Sequence, residues 1–379
     1  MSLETIVTAY AMATAVAGVH IFVVTALNTA WMMYASIVSP KKTGPLVSLL
    51  VPARNEEAHL GACLDSLVAQ NYENLEIIVY DDDSTDGTRK ILDQYVKRYP
   101  GLVRAIGGKL EPGWYGKPLA LQRLSEAASG SWLYFTDADT VHEPDSVGFA
   151  LGSAELHKAD LVSGYVRNKI GSFGEGQVVP AIYLLTMVAM PLWLIHLAKS
   201  SLISHAIGQV MLFRASFYEK IGGYDAVRHK VSEDVHMARL VKKQGGKVLF
   251  TDLKEHIACR MYSDYRSAID GLSKNVYDYF NKNIIVLVAV TVLVPLVFFI
   301  PILGSIWLPA FLIQAQPWFR LGCLFLVSAW GLLTMERLLP WYVPLIYPLI
   351  LVNVLSTAWR ACRLFATGKA VEWKGRMVK

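Results

Sequence analysis

The chain has 379 residues, 54% of them hydrophobic and 18% charged, against about 25% charged in an average soluble domain. Its 36 basic and 31 acidic residues leave a net charge of +5, too mild to argue for nucleic acid as a partner. Disorder, a collagen-like rod and an ordinary soluble enzyme are disfavoured together, and part of the chain is expected in lipid.

No charged residue occurs from Thr5 to Pro40, from Asn283 to Phe319 or from Leu338 to Trp359. A helix crosses a bilayer core with about 20 apolar residues, so each gap has room for at least one span. The first gap does not read as a cleavable secretory signal. The start Met-Ser-Leu-Glu-Thr-Ile-Val lacks a positive region, and the apolar run is too long. The expected organisation is a membrane anchor over 1–42, a catalytic block over 43–282, a second membrane region over 283–359 and a basic tail over 360–379. Cys63, Cys259, Cys323 and Cys362 are scattered without metal-type spacing and read as reduced thiols in core or lipid.

The polar block opens with an apolar run, Pro45–Pro52, of strand length. Leu60, Leu64, Leu67 and Val68 then recur at helical spacing behind Asn55-Glu-Glu57. A second strand, Glu76–Tyr80, runs into an aspartate cluster and a helix from about Thr88 to Tyr99. Further strands are expected at Leu102–Ile106 and Trp132–Thr136. Strands alternating with helices predict an α/β domain with a mostly parallel sheet, whose ligands sit at the carboxyl ends of the strands. Acidic residues follow three of these strands, which is the layout of a nucleotide site without a glycine-rich phosphate loop. Gly176–Ala198 carries no formal charge, and the preferred reading is a helix lying in the membrane interface, with a buried core helix as the alternative.

Lys41 and Lys42 follow the first span, and Lys274 and Lys282 precede the later ones. Arg360, Arg363, Lys369, Lys374, Arg376 and Lys379 face a single acid, Glu372, in the tail. Positive-inside bias then puts the polar block and the tail on the cytoplasmic face of a multi-pass cell-membrane protein. Candidate later spans are about 284–304, 314–335 and 338–358.

Four constellations carry chemistry. Asp81-Asp-Asp-Ser-Thr-Asp-Gly-Thr88 places carboxylates where they accept hydrogen bonds from a base or a ribose. As a calcium loop it fails, because a strand precedes it and its twelfth position, Asp93, is not Glu. Asp137-Ala-Asp139 projects two carboxylates to one side of a strand end, suited to Mg²⁺ or Mn²⁺ and a diphosphate. Ser232-Glu233-Asp234 heads a helix, either as a capped start or with one acid as a general base. Trp114-Tyr-Gly-Lys117, Arg260-Met-Tyr262, Arg266 and Lys274 form a basic and aromatic set for diphosphate or acceptor. His256 is a weaker third candidate for the metal.

In their order, Val51-Pro-Ala-Arg-Asn-Glu-Glu57, the Asp81–Asp86 run, Gly116-Lys117, Asp137-Ala-Asp139, Gly222-Gly-Tyr-Asp225 and Glu233-Asp234 resemble an inverting GT-A glycosyltransferase of the family 2 type. Gly113–Lys117, Arg260–Tyr262 with Gly271–Asn275, and Glu372–Arg376 look most like membrane glycosyltransferases of carotenoid (diaponeurosporenoate) and hopanoid pathways. The resemblance implies that Pro52, Arg54, Glu56 and Asp82 line the nucleoside, joined in nucleotide binding by Lys117 and Asp137. It makes Asp139 the direct metal ligand beside Asp137, and Asp234 the base beside Glu233. The implied partners are a nucleotide sugar, expected as a UDP-hexose, and a lipid or isoprenoid acceptor in the bilayer. The QxxRW string of processive synthases is absent between Asp252 and Asn283, which disfavours the alternative of a polysaccharide synthase. A non-catalytic lipid-binding or transport protein is the other alternative, opposed by the presence of every motif acid.

Overall fold

The computed structural model describes residues 1–188, 190–279, 284–366, 371–373 and 376–378. The chain divides into two units. One comprises Met32–Lys169, Trp193–Met261 and Ala370–Lys379; the other comprises Met1–Trp31, Ile170–Leu192 and Tyr262–Lys369.

The first unit carries strands β1 (Val47–Ala53), β2 (Leu75–Asp81), β3 (Val103–Gly107), β4 (Trp132–Thr136), β5 (Thr140–His142), β6 (Leu161–Tyr165), β7 (Arg167–Asn168), β8 (Val210–Arg214), β9 (Val248–Asp252) and β10 (Ile257–Cys259). Seven of them form one sheet in the order β3-β2-β1-β4-β8-β6-β9. The pairs β2–β3, β1–β2, β1–β4 and β6–β9 are parallel, whereas β8 runs against both of its neighbours. The central strands read as continuous apolar runs because layers cover both faces: every residue of β4 is buried, as are six of the seven in β1. Helices Leu60–Val68, Thr88–Arg98 and Gly116–Ala127 follow β1, β2 and β3, so the carboxyl ends of β1, β2 and β4 share one rim. The first of these helices starts at Leu60, where its periodicity begins, and not at the Asn55-Glu-Glu57 start read for it. Asn55 takes a left-handed φ of 51°, and Asn55–His59 is loop. A three-stranded sheet, β5-β10-β7, pairs Cys259 with Thr140, just beyond Asp139.

The second unit is helical. Among the described residues two helices are long and apolar enough to cross a membrane, Leu3–Ala35 and Ala310–Glu336. They touch through small residues: a Cβ on Gly18 would lie 2.7 Å from the carbonyl oxygen of Gly322. That close approach lets Tyr10 meet Phe319 and Phe22 meet Phe325 on either side, with ring centroids 5.7 and 5.6 Å apart. The region expected as a span at 284–304 is helix Ile284–Val294, a π-turn at Pro295–Phe299 and helix Ile300–Ile306. The last helix begins at Tyr347 instead of 338 and runs to Ala366, so Arg360 and Arg363 ride on it. Lys282, Lys369, Lys374 and Lys379, used above for orientation, lie outside the described residues.

Gly176–Ala198 is not the single helix that its composition suggested. Pro180 and Pro191 interrupt it, and it forms short turns at Ala181–Tyr183, Leu184–Val188 and Trp193–Leu197. Val178, Tyr183, Met187, Leu192 and Ile195 are buried. Asn28, itself buried, fastens the irregular stretch: its Nδ2 donates to the carbonyls of Met187 at 2.7 Å and Met190 at 2.8 Å, and its Oδ1 accepts the Leu192 N–H at 2.7 Å.

Candidate active site

The loops that leave β1 and β2 are knitted together. The Arg54 guanidinium donates to the carbonyl oxygens of Asp82 and Asp83, the Asp82 N–H donates to the Ala53 carbonyl, and Glu56 N–H donates to Thr88 Oγ1 at 2.7 Å. Asn55 Oδ1 accepts the Thr85 N–H at 2.8 Å, and Glu57 Oε2 accepts the Gly87 N–H at 2.9 Å. Burial pushes the Asp86 carboxyl up, but donation from Thr88 and from the Glu57 N–H more than offsets it, and its pKa falls below the usual aspartate value. Asp93, the twelfth position of the rejected calcium loop, pairs with Arg89 at 2.9 Å. Pro52, Arg54, Glu56 and Asp82 therefore border one rim, with Glu56 and Asp82 buried.

A second group gathers at the end of β4. Lys117, in the first turn of Gly116–Ala127, places its Nζ 2.8 Å from Asp137 Oδ1 and 3.3 Å from Glu233 Oε1. Asp234 stands in the first turn of helix Glu233–Lys243, its Oδ2 accepting the Gly208 N–H and its Oδ1 the Val235 N–H, each at 2.8 Å. Ser232, expected as the cap of this helix, makes no side-chain cap bond and turns toward His236. Burial opposes the charge on Lys117, but Asp137 and then Glu233 more than restore it, so its pKa lies above the ordinary lysine value. Burial and, next, the charge of Glu233 push Asp234 up to about 7, against the pull of Lys117 and the two amides.

Two thiols flank the aspartate pair. Cys63 Sγ lies 3.8 Å from the Asp137 carbonyl oxygen and feels the charges of Asp139, Glu56 and Asp137. Cys259 lies within hydrogen-bonding reach of Asp139 and Gln209. Burial raises both thiols well above the ordinary range. Of Asp139 and Asp137, the pair expected to hold a divalent ion, Asp137 already meets Lys117. Among the described residues no group of three or more His, Cys, Asp or Glu could hold a metal by itself. His256 turns instead to Asp145 at 2.8 Å and stacks on Phe149. Two hard carboxylates without a third protein ligand suit an ion whose shell is completed by substrate phosphates and water, so the residues fit a metal bound with its diphosphate.

Trp114 is half-buried in the loop before Lys117, and its neighbour Tyr115 donates its N–H to the Arg228 carbonyl at 3.0 Å. Arg260 is exposed after β10, while Arg266 and Lys274 belong to helix Tyr265–Tyr279 of the other unit. Sequence reasoning missed Gly208 and Gln209; it read Cys63 and Cys259 as buried free thiols, as they are, without placing them beside the aspartate pair. The first two precede an antiparallel strand that no local signal announced: the Gln209 carbonyl accepts from Thr136 Oγ1 at 2.9 Å and from the Asp137 N–H.

A mostly parallel sheet with one reversed strand, collecting acids and a lysine at its strand ends, defines a GT-A type transferase domain. Residues 48–222 match glycosyl transferase family 2, and the chain carries a glycosyltransferase domain of that family. Glu233 and Asp234 lie beyond the matched stretch. The chain is 28% identical over 234 residues to 4,4'-diaponeurosporenoate glycosyltransferase of Staphylococcus aureus (strain USA300), covering 61% of this chain and 60% of that protein. It is 30% identical over 198 residues to EpsE of Bacillus subtilis (strain 168), named as a glycosyltransferase, covering 52% and 66%. The chain thus spans 60% of the length of the staphylococcal relative. Among solved structures, the mannosyltransferase PcManGT of Pyrobaculum calidifontis, in complex with GDP-Man and Mn²⁺, superposes with a TM-score of 0.55. That comparison covers 96% of this chain and 99% of the other at 18% identity, and it speaks for the fold.

Proposed function

We propose that this chain is a membrane-bound inverting glycosyltransferase that moves a sugar, a UDP-linked hexose in the first instance, to a hydrophobic lipid or isoprenoid acceptor. The observation that carries this reading is the convergence of Asp137, Lys117, Glu233 and Asp234 at the carboxyl ends of a GT-A sheet. The two long apolar helices and the acceptor named for the staphylococcal relative support the hydrophobic substrate. Lys41 and Lys42 after the first helix support a cytoplasmic catalytic unit.

In this reading Pro52, Arg54 and Glu56 border the nucleoside, and the Asp82 carboxylate accepts a base N–H. Asp139, with Asp137, would hold Mg²⁺ or Mn²⁺, which when bound supplies Lewis-acid neutralisation of the diphosphate. Asp234 accepts the proton of the acceptor hydroxyl or carboxyl as its oxygen attacks the anomeric carbon from the face opposite the diphosphate. The carbon–oxygen bond to the diphosphate breaks with its electron pair, and the configuration inverts. A carboxylate whose pKa stands near neutrality is matched to that proton transfer.

The test uses the full chain purified in mild detergent. UDP-glucose and GDP-mannose, each with MnCl₂, are screened for a rise in unfolding temperature. Transfer to a bacterial lipid extract is then read by mass spectrometry. Lipid-linked sugar that disappears in an Asp234→Asn variant with unchanged unfolding temperature supports the reading. Absence of any nucleotide-sugar shift together with absence of glycosylated lipid overturns it.

A further inference from the structure

Three carboxylates, those of Asp137, Glu233 and Asp234, surround the single ammonium of Lys117. The cation reaches from the carboxyl end of β4 to the first residue of helix Glu233–Lys243, joining elements about a hundred residues apart in sequence. Asp234 is held by other means, since each of its oxygens accepts a backbone N–H at 2.8 Å. Gly208 stands between the two sets. A Cβ there would lie 3.1 Å from Lys117 Nζ, 3.5 Å from Asp234 Oδ2 and 3.6 Å from Glu233 Oε1. Its bare backbone lets the amide approach Asp234 without displacing the ammonium.

We propose that Lys117, Glu233 and Gly208 form a positioning frame for Asp234. Lys117 bridges Asp137 and Glu233 and so fixes the start of the helix, while the Gly208 amide aims the carboxylate. Glu233 and Lys117 thus become positioning residues, the acid balancing the lysine instead of receiving a proton from the acceptor. Adjacent like charges repel unless a cation separates them, so removing the ammonium would spread Asp137 from Glu233 and turn the helix start with it. This assignment rests on the proposed role of Asp234 as the base. It differs from the expectation that Lys117 contacts the nucleotide.

The test compares Lys117→Met, Lys117→Arg, Glu233→Gln, Gly208→Ala and the double variant Lys117→Met/Glu233→Gln as full chains in detergent. UDP and GDP, each with MnCl₂, are titrated by calorimetry, and kcat is measured with whichever of UDP-glucose and GDP-mannose turns over. Lys117→Met, Glu233→Gln and Gly208→Ala are each expected to lower kcat by about 10- to 100-fold, the cost of a small misplacement, with nucleotide affinity unchanged in Glu233→Gln and Gly208→Ala. The double variant should be no worse than its worse single variant, because the two residues act as one unit. Lys117→Arg should recover part of kcat, which a general packing defect would not predict. Additive losses, or a Lys117→Met variant that weakens nucleotide binding at unchanged kcat, overturn the frame and return Lys117 to the diphosphate. A Gly208→Ala variant with full kcat removes Gly208 from it. A wild-type chain that binds neither nucleotide and glycosylates no lipid defeats the proposed function itself, a result distinct from additivity in a nucleotide-binding chain.

Discussion

Replacing Asn28 by leucine separates an N-terminal helix that belongs to the fold from one that only tethers it. The Asn28 side chain bonds three backbone groups of the irregular stretch, the carbonyls of Met187 and Met190 and the N–H of Leu192. Leucine is close in volume but bonds none of them. Each buried polar group left without a partner costs about 1–3 kcal/mol, so the gross loss is about 3–9 kcal/mol. Burying leucine in place of the amide returns about 1.5–3 kcal/mol. Bonds of this kind between helices in a bilayer are worth only about 0.6 kcal/mol on average, which favours the lower part of the range. The expected net loss is therefore about 2–4 kcal/mol, and at about 2–4 °C per kcal/mol the unfolding temperature falls by about 4–16 °C. Thermal unfolding in mild detergent, followed by intrinsic fluorescence, reads the shift. Hydrogen exchange should accelerate over 184–192 and stay unchanged in β1 and β4. An Asn28→Leu chain that melts no lower than the wild type, with unchanged exchange over 184–192, refutes the reasoning.

Three further outcomes are expected. Because burial and the charge of Glu233 push the Asp234 carboxyl up to about 7, and it accepts a proton only when ionised, kcat/KM should rise with pH and level off above that value, falling about tenfold per pH unit on the acid side; a kcat/KM that holds level down to pH 5 would rule this out. Asp139→Asn should raise the Mn²⁺ concentration needed for nucleotide binding by tenfold or more, about 1.4 kcal/mol, as read by calorimetry, and an unchanged requirement would assign the ion elsewhere. Gly18→Leu drives side-chain atoms into the Gly322 carbonyl and should destabilise the helical unit by about 1–3 kcal/mol. Thermal unfolding checks it, and a melting temperature equal to the wild type would mean that the two helices do not need their close crossing.

The acid-bearing ends of β1, β2 and β4 were readable because each motif is local. Leu49–Ala53 is apolar at consecutive positions since the strand is covered on both faces, and the loop that follows it carries Arg54 and Glu56 within a few residues. The same holds for β2 with Asp82 and for β4 with Asp137 and Asp139. The sheet edge beyond β4 was not readable. β8 is a short strand inserted antiparallel between β4 and β6, and its place depends on partners far along the chain.

By itself the sequence determined the class of domain, the rim on which its acids fall and the presence of long apolar helices, because composition and short-range periodicity carry those properties directly. Tertiary structure alone decided that Lys117 meets Glu233, that Gly208 supplies an amide to Asp234, that Cys259 stands beside Asp139 and that His256 turns away to Asp145. It also decided the fate of 176–198. Nothing in its composition tells that Asn28 holds it through three hydrogen bonds as a run of short turns. Pairings of this kind are fixed by strand order and by which polar groups must be satisfied in a packed interior, and neither is written in any short window of residues.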